Sequence, residues 1–188
     1  MNDDKEAVIG FGISNGYLPF PVISALNGAE DRNIATGGCN EGKRKGFIPW
    51  ATFVLPKLDT WGNIYENSVS PAYANPVTKI VFTSTTDITI KTRINGGGLT
   101  KLSNANAVPM AILTRGKNGT LVYADDGTQI SNMSFINFDE AANAASISNA
   151  TASIILLFLG ALQVKLQPLV VNMMMWLSGY HQVNTSIA

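Results

Sequence analysis

Apolar and polar positions alternate most regularly over residues 88–94, which read Ile-Thr-Ile-Lys-Thr-Arg-Ile. A period of two gives a strand one apolar face, so this segment predicts a half-buried β-strand. A second apolar run covers residues 80–83, and residues 85–87 between the two runs have turn chemistry. The two runs therefore predict an antiparallel hairpin, in which Ile88 and Ile90 face an N-terminal helix.

That helix is predicted at the start of the chain, over residues 3–14. Val8 and Phe11 fall on one face at helical spacing, and charged residues surround them. Asn15 is followed by Gly16, which can adopt the left-handed conformation that ends many helices. The pattern therefore predicts the C-terminal end of the helix at this pair.

Shorter elements and loops follow. Residues 18–21 read Leu-Pro-Phe-Pro and predict an extended segment, and the turn-rich residues 22–45 predict an irregular loop across the surface. A short apolar run over residues 108–113 predicts a strand or a buried turn, and Pro109 favours an edge or first position in a strand. Asp-Asp-Gly at residues 125–127 predicts a turn. The whole pattern predicts an α+β fold, in which an N-terminal helix remnant packs on a small antiparallel β-sheet with long loops.

The stretch from Gly46 to Pro71 organises the rest of the chain, and we interpret it as a rigid surface element. Pro49 and Pro56 disfavour a long regular helix. Residues 64–69 then predict a strand that starts with a large half-buried packing residue, Tyr65. Turn formers precede this strand: Asp59, Gly62 and Asn63.

This stretch also carries a resemblance to a known family. Residues 59–65 read Asp-Thr-Trp-Gly-Asn-Ile-Tyr, which resembles the Asp-Pro-Trp-Gly-Asn-Pro-Tyr signature of type II secretion pseudopilins. Residues 47–59 are similar to a run found in a subgroup of type IV pilin-like proteins. We expect Trp61 to be largely buried. The residues that match the family motif, and to which we assign a structural role, are Pro49, Trp50, Pro56, Asp59, Trp61, Gly62, Asn63 and Tyr65.

The resemblance implies a non-catalytic filament subunit of a type IV pilus or type II secretion pseudopilus. Residues 1–150 would form its pilin-like globular head. Its partners would be other pilin or pseudopilin subunits and the inner-membrane assembly platform, with no nucleic acid and no small-molecule substrate. The full-length protein would lie in the inner membrane and periplasm or in an extracellular filament, and this fragment would be soluble. The alternative is an extracellular β-rich binding module such as an adhesin head.

The chain departs from the family in several places. Family members begin with a short basic leader and a long apolar helix, whereas residues 1–6 are polar and acidic, so we expect this chain to start partway along that helix. Phe20 stands where the subgroup has a cysteine, which leaves Cys39 as an odd thiol. Major pseudopilins bind calcium through an acidic C-terminal loop that this chain lacks. We therefore expect no cofactor, with calcium left open at weak substitutes: Asp125, Asp126, Asp139 and Glu140.

Residues 151–188 form an apolar C-terminal segment that is atypical for the family. Residues 154–177 are long enough to span a bilayer, but Lys165 and Pro168 interrupt them. Buried strands or a packed helix are the preferred interpretation. A third interpretation is that residues 155–174 are a frameshifted stretch, since suitable codons would give an acidic loop in another frame.

The composition of the chain argues against several classes of function. Thirteen Lys and Arg residues balance thirteen Asp and Glu residues, so net charge offers no case for nucleic acid or an anionic membrane. One cysteine excludes an intramolecular disulfide, and the single His181 has no patterned nucleophile beside it. An enzyme is therefore the least favoured class. The basic cluster at residues 43–45 is interpreted as a solvated loop end, with a docking patch as the alternative.

Overall fold

The computed structural model describes residues 2–33, 35–38, 44–94, 97–101, 108–114, 122–130 and 154–158. These residues form a mixed α+β fold of short helices and small sheets. In chain order the elements are α1 (Asn2–Asn15), β1 (Lys45–Phe47), α2 (Trp50–Phe53), β2 (Glu66–Val69), a 3-10 helix (Pro71–Tyr73), β3 (Ile88–Arg93), β4 (Leu99–Lys101), β5 (Met110–Leu113), β6 (Val122–Tyr123), β7 (Gln129–Ile130) and β8 (Ile154–Phe158).

The end of α1 confirms the predicted stop. Gly16 has φ +75°, a left-handed conformation that a residue with a Cβ adopts only at a cost. Its N–H donates to the Gly12 carbonyl at 2.8 Å, and the Asn15 side chain donates to the Phe11 carbonyl at 2.9 Å. The first bond satisfies a carbonyl that the last turn of a helix leaves without a partner.

The first sheet is antiparallel, in the order β1-β2-β5. β5 lies at its edge, as Pro109 just before it predicts. The strands β6 and β7 form a separate antiparallel hairpin. The turn predicted at residues 125–127 connects them, with Gly127 at φ +85° and its N–H donating to the Ala124 carbonyl. Local turn chemistry was therefore sufficient to place this hairpin.

The predicted hairpin between residues 80–83 and β3 is wrong. β3 pairs antiparallel with β4 and parallel with β8, so the second sheet is mixed. Residues 80–83 form no strand, because a tight turn closes over Val81 and Ser84, whose N–H donates to the Val81 carbonyl at 2.9 Å. Phe82 is consequently 80% exposed. The antiparallel partner of β3 is instead β4, which follows the glycine-rich loop after β3.

The first sheet separates two apolar clusters. Met110 of β5 packs in a cluster with Val8 of α1, whereas the next residue, Ala111, packs in a second cluster with Ile88 and Ile90 of β3. Successive residues of a strand point to opposite faces. Therefore α1 and β3 lie on opposite faces of the first sheet, and the prediction that Ile88 and Ile90 face the helix is wrong.

The basic cluster is not a solvated loop end in its described part. The Arg44 guanidinium forms a two-pronged ion pair with Asp87, at 2.7 and 2.5 Å, and is buried. The Ser70 hydroxyl donates to the same carboxylate at 2.8 Å. Lys45 is also buried, and its Nζ lies 3.8 Å from the Glu66 carboxylate. Buried charges require partners of opposite sign. These two ion pairs supply them, and they also connect β1 to β2 and to the start of β3.

Two non-glycine residues, Val54 and Lys79, have positive φ, and Val54 is the β-branched one. Val54 caps the C-terminus of α2 in the left-handed conformation, with φ 58° and ψ 46°, and is 89% exposed. A β-branched residue pays a penalty in this conformation, and exposure gives no packing in return. We expect Val54→Gly to raise the free energy of unfolding by about 0.5–1 kcal/mol, measured by urea denaturation. Val54→Ala is the control with a smaller gain, and a lower midpoint for Val54→Gly would contradict the argument.

Part of the apolar C-terminal segment can be placed. β8 runs parallel to β3 over five residue pairs, from Ile88 opposite Ile154 to Thr92 opposite Phe158. A strand, one of the two forms that the preferred interpretation allowed, is thus present at residues 154–158, and the rest of the segment lies outside the described residues. Among the helices that the structure describes, none has the length and apolar character needed to cross a membrane.

Candidate functional site

The motif segment is built around the carboxylate of Asp59, which is 8% exposed. One oxygen accepts the backbone N–H groups of Trp61 and Asn63, each at 2.9 Å. The other oxygen accepts the hydroxyl of Thr114, which follows β5. Hydrogen bonds to a charged acceptor are among the stronger ones in proteins. Asp59 therefore fixes the shape of the loop and ties it to the edge of the first sheet.

The loop itself is a tight turn, as its residues predict. The Gly62 N–H donates to the Asp59 carbonyl at 3.1 Å, and the Asp59 N–H donates to the Asn63 carbonyl at 2.8 Å. Gly62 has φ +82°, which explains why glycine stands at this position. Asn63 is buried and forms a β-bridge with Ala124. The interpretation of a turn leading into a strand is confirmed.

Trp61 contradicts its prediction. Its side chain is 51% exposed, because the turn points it away from the two apolar clusters that flank the first sheet. Two other aromatic residues of this stretch are buried instead: Tyr65 and Phe53 of α2. The motif thus consists of a buried frame that holds one large aromatic side chain at the surface.

The front half of the motif segment lies deeper than a surface element would. Pro49 is fully buried before α2, whereas Pro56 is exposed behind it. The Trp50 indole packs directly on Gly28, where an added Cβ would come within 2.3 Å of the indole nitrogen. Lys57 places its Nζ 5.1 Å from the centre of the same ring. The two prolines lie on either side of α2 and limit it to a single turn, as predicted.

A second contact fixes the loop to the β6–β7 hairpin. The Ile64 N–H donates to the Tyr123 carbonyl at 2.9 Å. The Lys57 ammonium lies 2.6 Å from an Asp125 carboxylate oxygen. Because Asp59 also bonds to Thr114, the loop is attached on two sides. Such attachment restricts its motion.

The backbone of Tyr65 connects the motif to the segment that follows β1. Its carbonyl accepts the Ile48 N–H at 2.9 Å. Burial raises the pKa of its phenol above the usual value near 10, and the Asp4 and Asp59 carboxylates raise it further. The folded state therefore disfavours the phenolate more than the unfolded chain does.

This pKa gives a prediction at alkaline pH. A raised folded-state pKa contributes stability that is present below the unfolded value and is lost as pH rises through the folded value. We expect the free energy of unfolding to fall as pH rises above ~10. Tyr65→Phe should show a shallower fall in urea denaturation across that range. An identical pH dependence in both proteins would contradict this role of Tyr65.

A polar cluster around Arg32 fixes the segment that follows α1. The Arg32 guanidinium lies 4.7 Å from the centre of the Tyr17 ring and 4.9 Å from that of Phe20. It donates to the Ala74 carbonyl at 2.9 Å and pairs with Glu30. Cation–π contacts and ion pairs of this kind fix a loop without a covalent link. Phe20, which stands where the subgroup has cysteine, is thus part of the packing.

The described residues offer little for catalysis or metal binding. Asp59 is saturated by its three donors, and Asp125 is paired with Lys57. The Thr128 backbone N–H donates to Asp126 and holds the pKa of that exposed carboxyl below its usual range, as expected of a turn residue. Within the described part of the chain, no three His, Cys, Asp or Glu residues are placed to hold a metal ion.

Several predicted positions lie outside the described residues. They include the odd thiol, one residue of the basic cluster, two of the weak calcium candidates and the single histidine: Cys39, Lys43, Asp139, Glu140 and His181. Conversely, sequence reasoning missed Thr114, Gly28 and Arg32 as partners of the motif and its surroundings. Their contacts span tens of residues, and no local pattern indicates them.

The exposure of Trp61 gives a clear stability prediction. Trp61→Ala should change the free energy of unfolding by less than about 1 kcal/mol, since surface substitutions are usually small and buried aromatic truncations cost about 3–5. Urea denaturation measures the difference, and Phe53→Ala is the buried aromatic control. A loss for Trp61→Ala as large as that of the control would place the indole in the core.

Comparison of the chain with protein-family models, with curated proteins and with solved structures finds no match in any of the three. The similarity of residues 59–65 to the pseudopilin signature therefore rests on the motif alone. Family and function are accordingly matters of proposal, argued from the motif and its geometry.

Proposed function

We propose that this chain is the globular head of a pilin-like or pseudopilin filament subunit, and that Trp61 lies at a contact between subunits. The proposed role is non-catalytic and needs no cofactor. Its partners are other subunits of the same filament and the inner-membrane platform that assembles them. In this role the full-length protein occupies the inner membrane and periplasm, or a filament outside the cell.

The observation that carries the proposal is the rigid presentation of an exposed tryptophan by the family motif. Asp59 holds the backbone of Trp61 and Asn63, and the side chain of Trp61 is left half exposed. Large aromatic residues on rigid elements dominate the binding energy of many protein interfaces, because they bury much area at little entropic cost. A motif kept for folding alone would have placed the indole in the core.

The position of α1 supports the same role. The helix opens the described chain and packs through Val8 against the face of the first sheet that also carries Met110. Phe11 extends this contact to Phe53 of α2, with ring centres 5.5 Å apart. In a filament subunit, such packing would transmit load from an apolar helix in the filament core to the head.

The test uses the complete reading frame, including the DNA upstream of this segment, expressed in its own cells. A photo-crosslinking amino acid is placed at position 61, or at the more exposed Val77 as a control. We expect a ladder of covalent multimers in the membrane or filament fraction from position 61 and a much weaker one from position 77.

Two outcomes would contradict the proposal. The first is a soluble, uncrosslinked protein from both positions although the chain is folded and abundant. The second is crosslinking of position 61 to molecules outside the cell envelope without multimers, which would favour the binding-module alternative. Upstream DNA lacking any basic leader and apolar helix would independently weigh against a pilin.

A further inference from the structure

The chain has no net charge, yet its charges are unevenly distributed. Residues 88–124 contain no Asp or Glu at all, whereas residues 1–87 contain nine. Within the same stretch the cations are Lys91, Arg93, Lys101, Arg115 and Lys117. A basic stretch of this length inside a neutral protein indicates a local field that attracts anions.

The β3–β4 ribbon brings two of these cations together. Lys91 lies directly opposite Lys101. Directly opposed residues share one face, and so do residues two apart on a strand, such as Leu99 and Lys101. These three residues therefore form one face of the ribbon, which we name the basic ribbon face: Lys91, Leu99 and Lys101.

Within the described part of the chain, no carboxylate forms an ion pair with Lys91 or Lys101. Neither strand that pairs with β3 contains an acidic residue, since β4 reads Leu-Thr-Lys and β8 reads Ile-Ile-Leu-Leu-Phe. Asp87, just before β3, is paired with Arg44. Like charges placed directly opposite each other destabilise a sheet, so the Lys91–Lys101 pair has a cost that folding alone does not explain.

The end of the ribbon adds exposed apolar groups. Ile94 is 52% exposed and Leu99 is 45% exposed. The Ile94 N–H donates to the Gly98 carbonyl at 2.9 Å, and the Gly97 N–H donates to the Ile94 carbonyl at 3.0 Å. These bonds close the turn between β3 and β4, and the two exposed aliphatic residues Ile94 and Leu99 flank it.

We propose that the basic ribbon face and the adjoining Ile94 form a docking surface for an anionic lipid bilayer. The cations are attracted to acidic headgroups, and the aliphatic tip inserts at the boundary with the acyl chains. A bilayer fits better than nucleic acid, because single-stranded nucleic acid is usually bound by aromatic stacking and this face has no aromatic residue. The inference stands apart from the proposed filament contact at Trp61.

The test measures co-sedimentation of the purified full chain with vesicles at low salt. One vesicle preparation contains phosphatidylglycerol and phosphatidylcholine in equal parts, and the other contains phosphatidylcholine alone. We expect binding to the anionic vesicles that is lost at high salt. Lys91→Gln with Lys101→Gln should weaken that binding about 20- to 30-fold, from about five-fold per cation near a charged surface. Leu99→Asn should weaken it further at fixed charge.

The matched control is Lys5→Gln with Lys79→Gln, which changes the net charge equally at positions away from the ribbon. It should keep most of the binding, and circular dichroism verifies that every variant is folded. Equal binding of the unmodified chain to both vesicles, or to neither, would overturn the proposal. So would an equal loss in the control, or tighter binding to a single-stranded oligonucleotide than to the anionic vesicles.

Discussion

Replacing Tyr73 with alanine should lower the free energy of unfolding by about 3–5 kcal/mol, because the ring is fully enclosed and its removal leaves a cavity. Tyr73 is 2% exposed and packs in the same cluster as Leu18 and Val8. Its hydroxyl donates to the Ser84 carbonyl at 3.2 Å. It therefore connects α1, the segment after it and the turn before β3.

Urea denaturation followed by circular dichroism measures this loss, and Tyr73→Phe is the matched control. The phenylalanine keeps the ring and removes one hydrogen bond, so it should cost about 1 kcal/mol. The backbone contact from the Leu18 N–H to the Tyr73 carbonyl, at 2.7 Å, is unchanged in both variants. Similar losses for the two variants would show that the hydrogen bond, not the ring, carries the stability.

Local sequence patterns predicted the elements whose cause is local. Gly16 ends α1 because it adopts positive φ, and Gly127 closes the β6–β7 turn for the same reason. The alternation over residues 88–94 predicted β3, and Pro109 predicted an edge strand. Each of these features depends on the conformational preferences of one or two neighbouring residues, which a sequence displays directly.

The pairing of strands could not be predicted in the same way. Residues 80–83 are apolar and adjacent to β3, so they resemble a partner strand. The partners of β3 are instead β4 and β8, and β8 begins 66 residues after β3 does, at Ile154 against Ile88. Periodicity determines which face of a strand is apolar, but not which surface covers that face. Ile88 and Ile90 were therefore assigned to the wrong neighbour.

The buried charges of the first sheet were also hidden from sequence reasoning. Polar residues make up most of β2, yet all four of its residues are buried. Glu66 is paired with Lys45, and the nearby Asp87 is paired with Arg44. Charged residues are usually exposed, so a sequence pattern assigns them to the surface unless the partner is known. The exposed Trp61 is the converse case, in which function is the proposed reason.

The turn of the motif segment was predicted from the sequence, because the conformational preferences of its residues are local. Asp59, Gly62 and Asn63 form the turn that their chemistry indicates. Thr114 completes the coordination of Asp59 from 55 residues away, a partner that only the folded chain reveals. A motif therefore predicted the loop, and tertiary structure determined what holds it.

Asp59→Ala should lower the free energy of unfolding by about 3 kcal/mol, since three hydrogen bonds to a charged acceptor are lost together. The buried Asn63 N–H is left without that acceptor, and the Thr114 hydroxyl loses its partner. Losses within one network do not add, so the total is smaller than three separate bonds would give. Urea denaturation measures the change.

The control for this substitution is Asp59→Asn, which keeps one oxygen for the Trp61 and Asn63 N–H groups and should cost less than half as much. Because the carboxylate orients the loop, Asp59→Ala should also reduce multimer crosslinking from position 61 under conditions where the chain stays folded. Thr114→Val tests the remaining bond and should leave crosslinking nearly unchanged, since the two backbone bonds persist. If Asp59→Ala costs no more stability than Trp61→Ala, the carboxylate does not hold the loop, and the rigid presentation of Trp61 must have another cause.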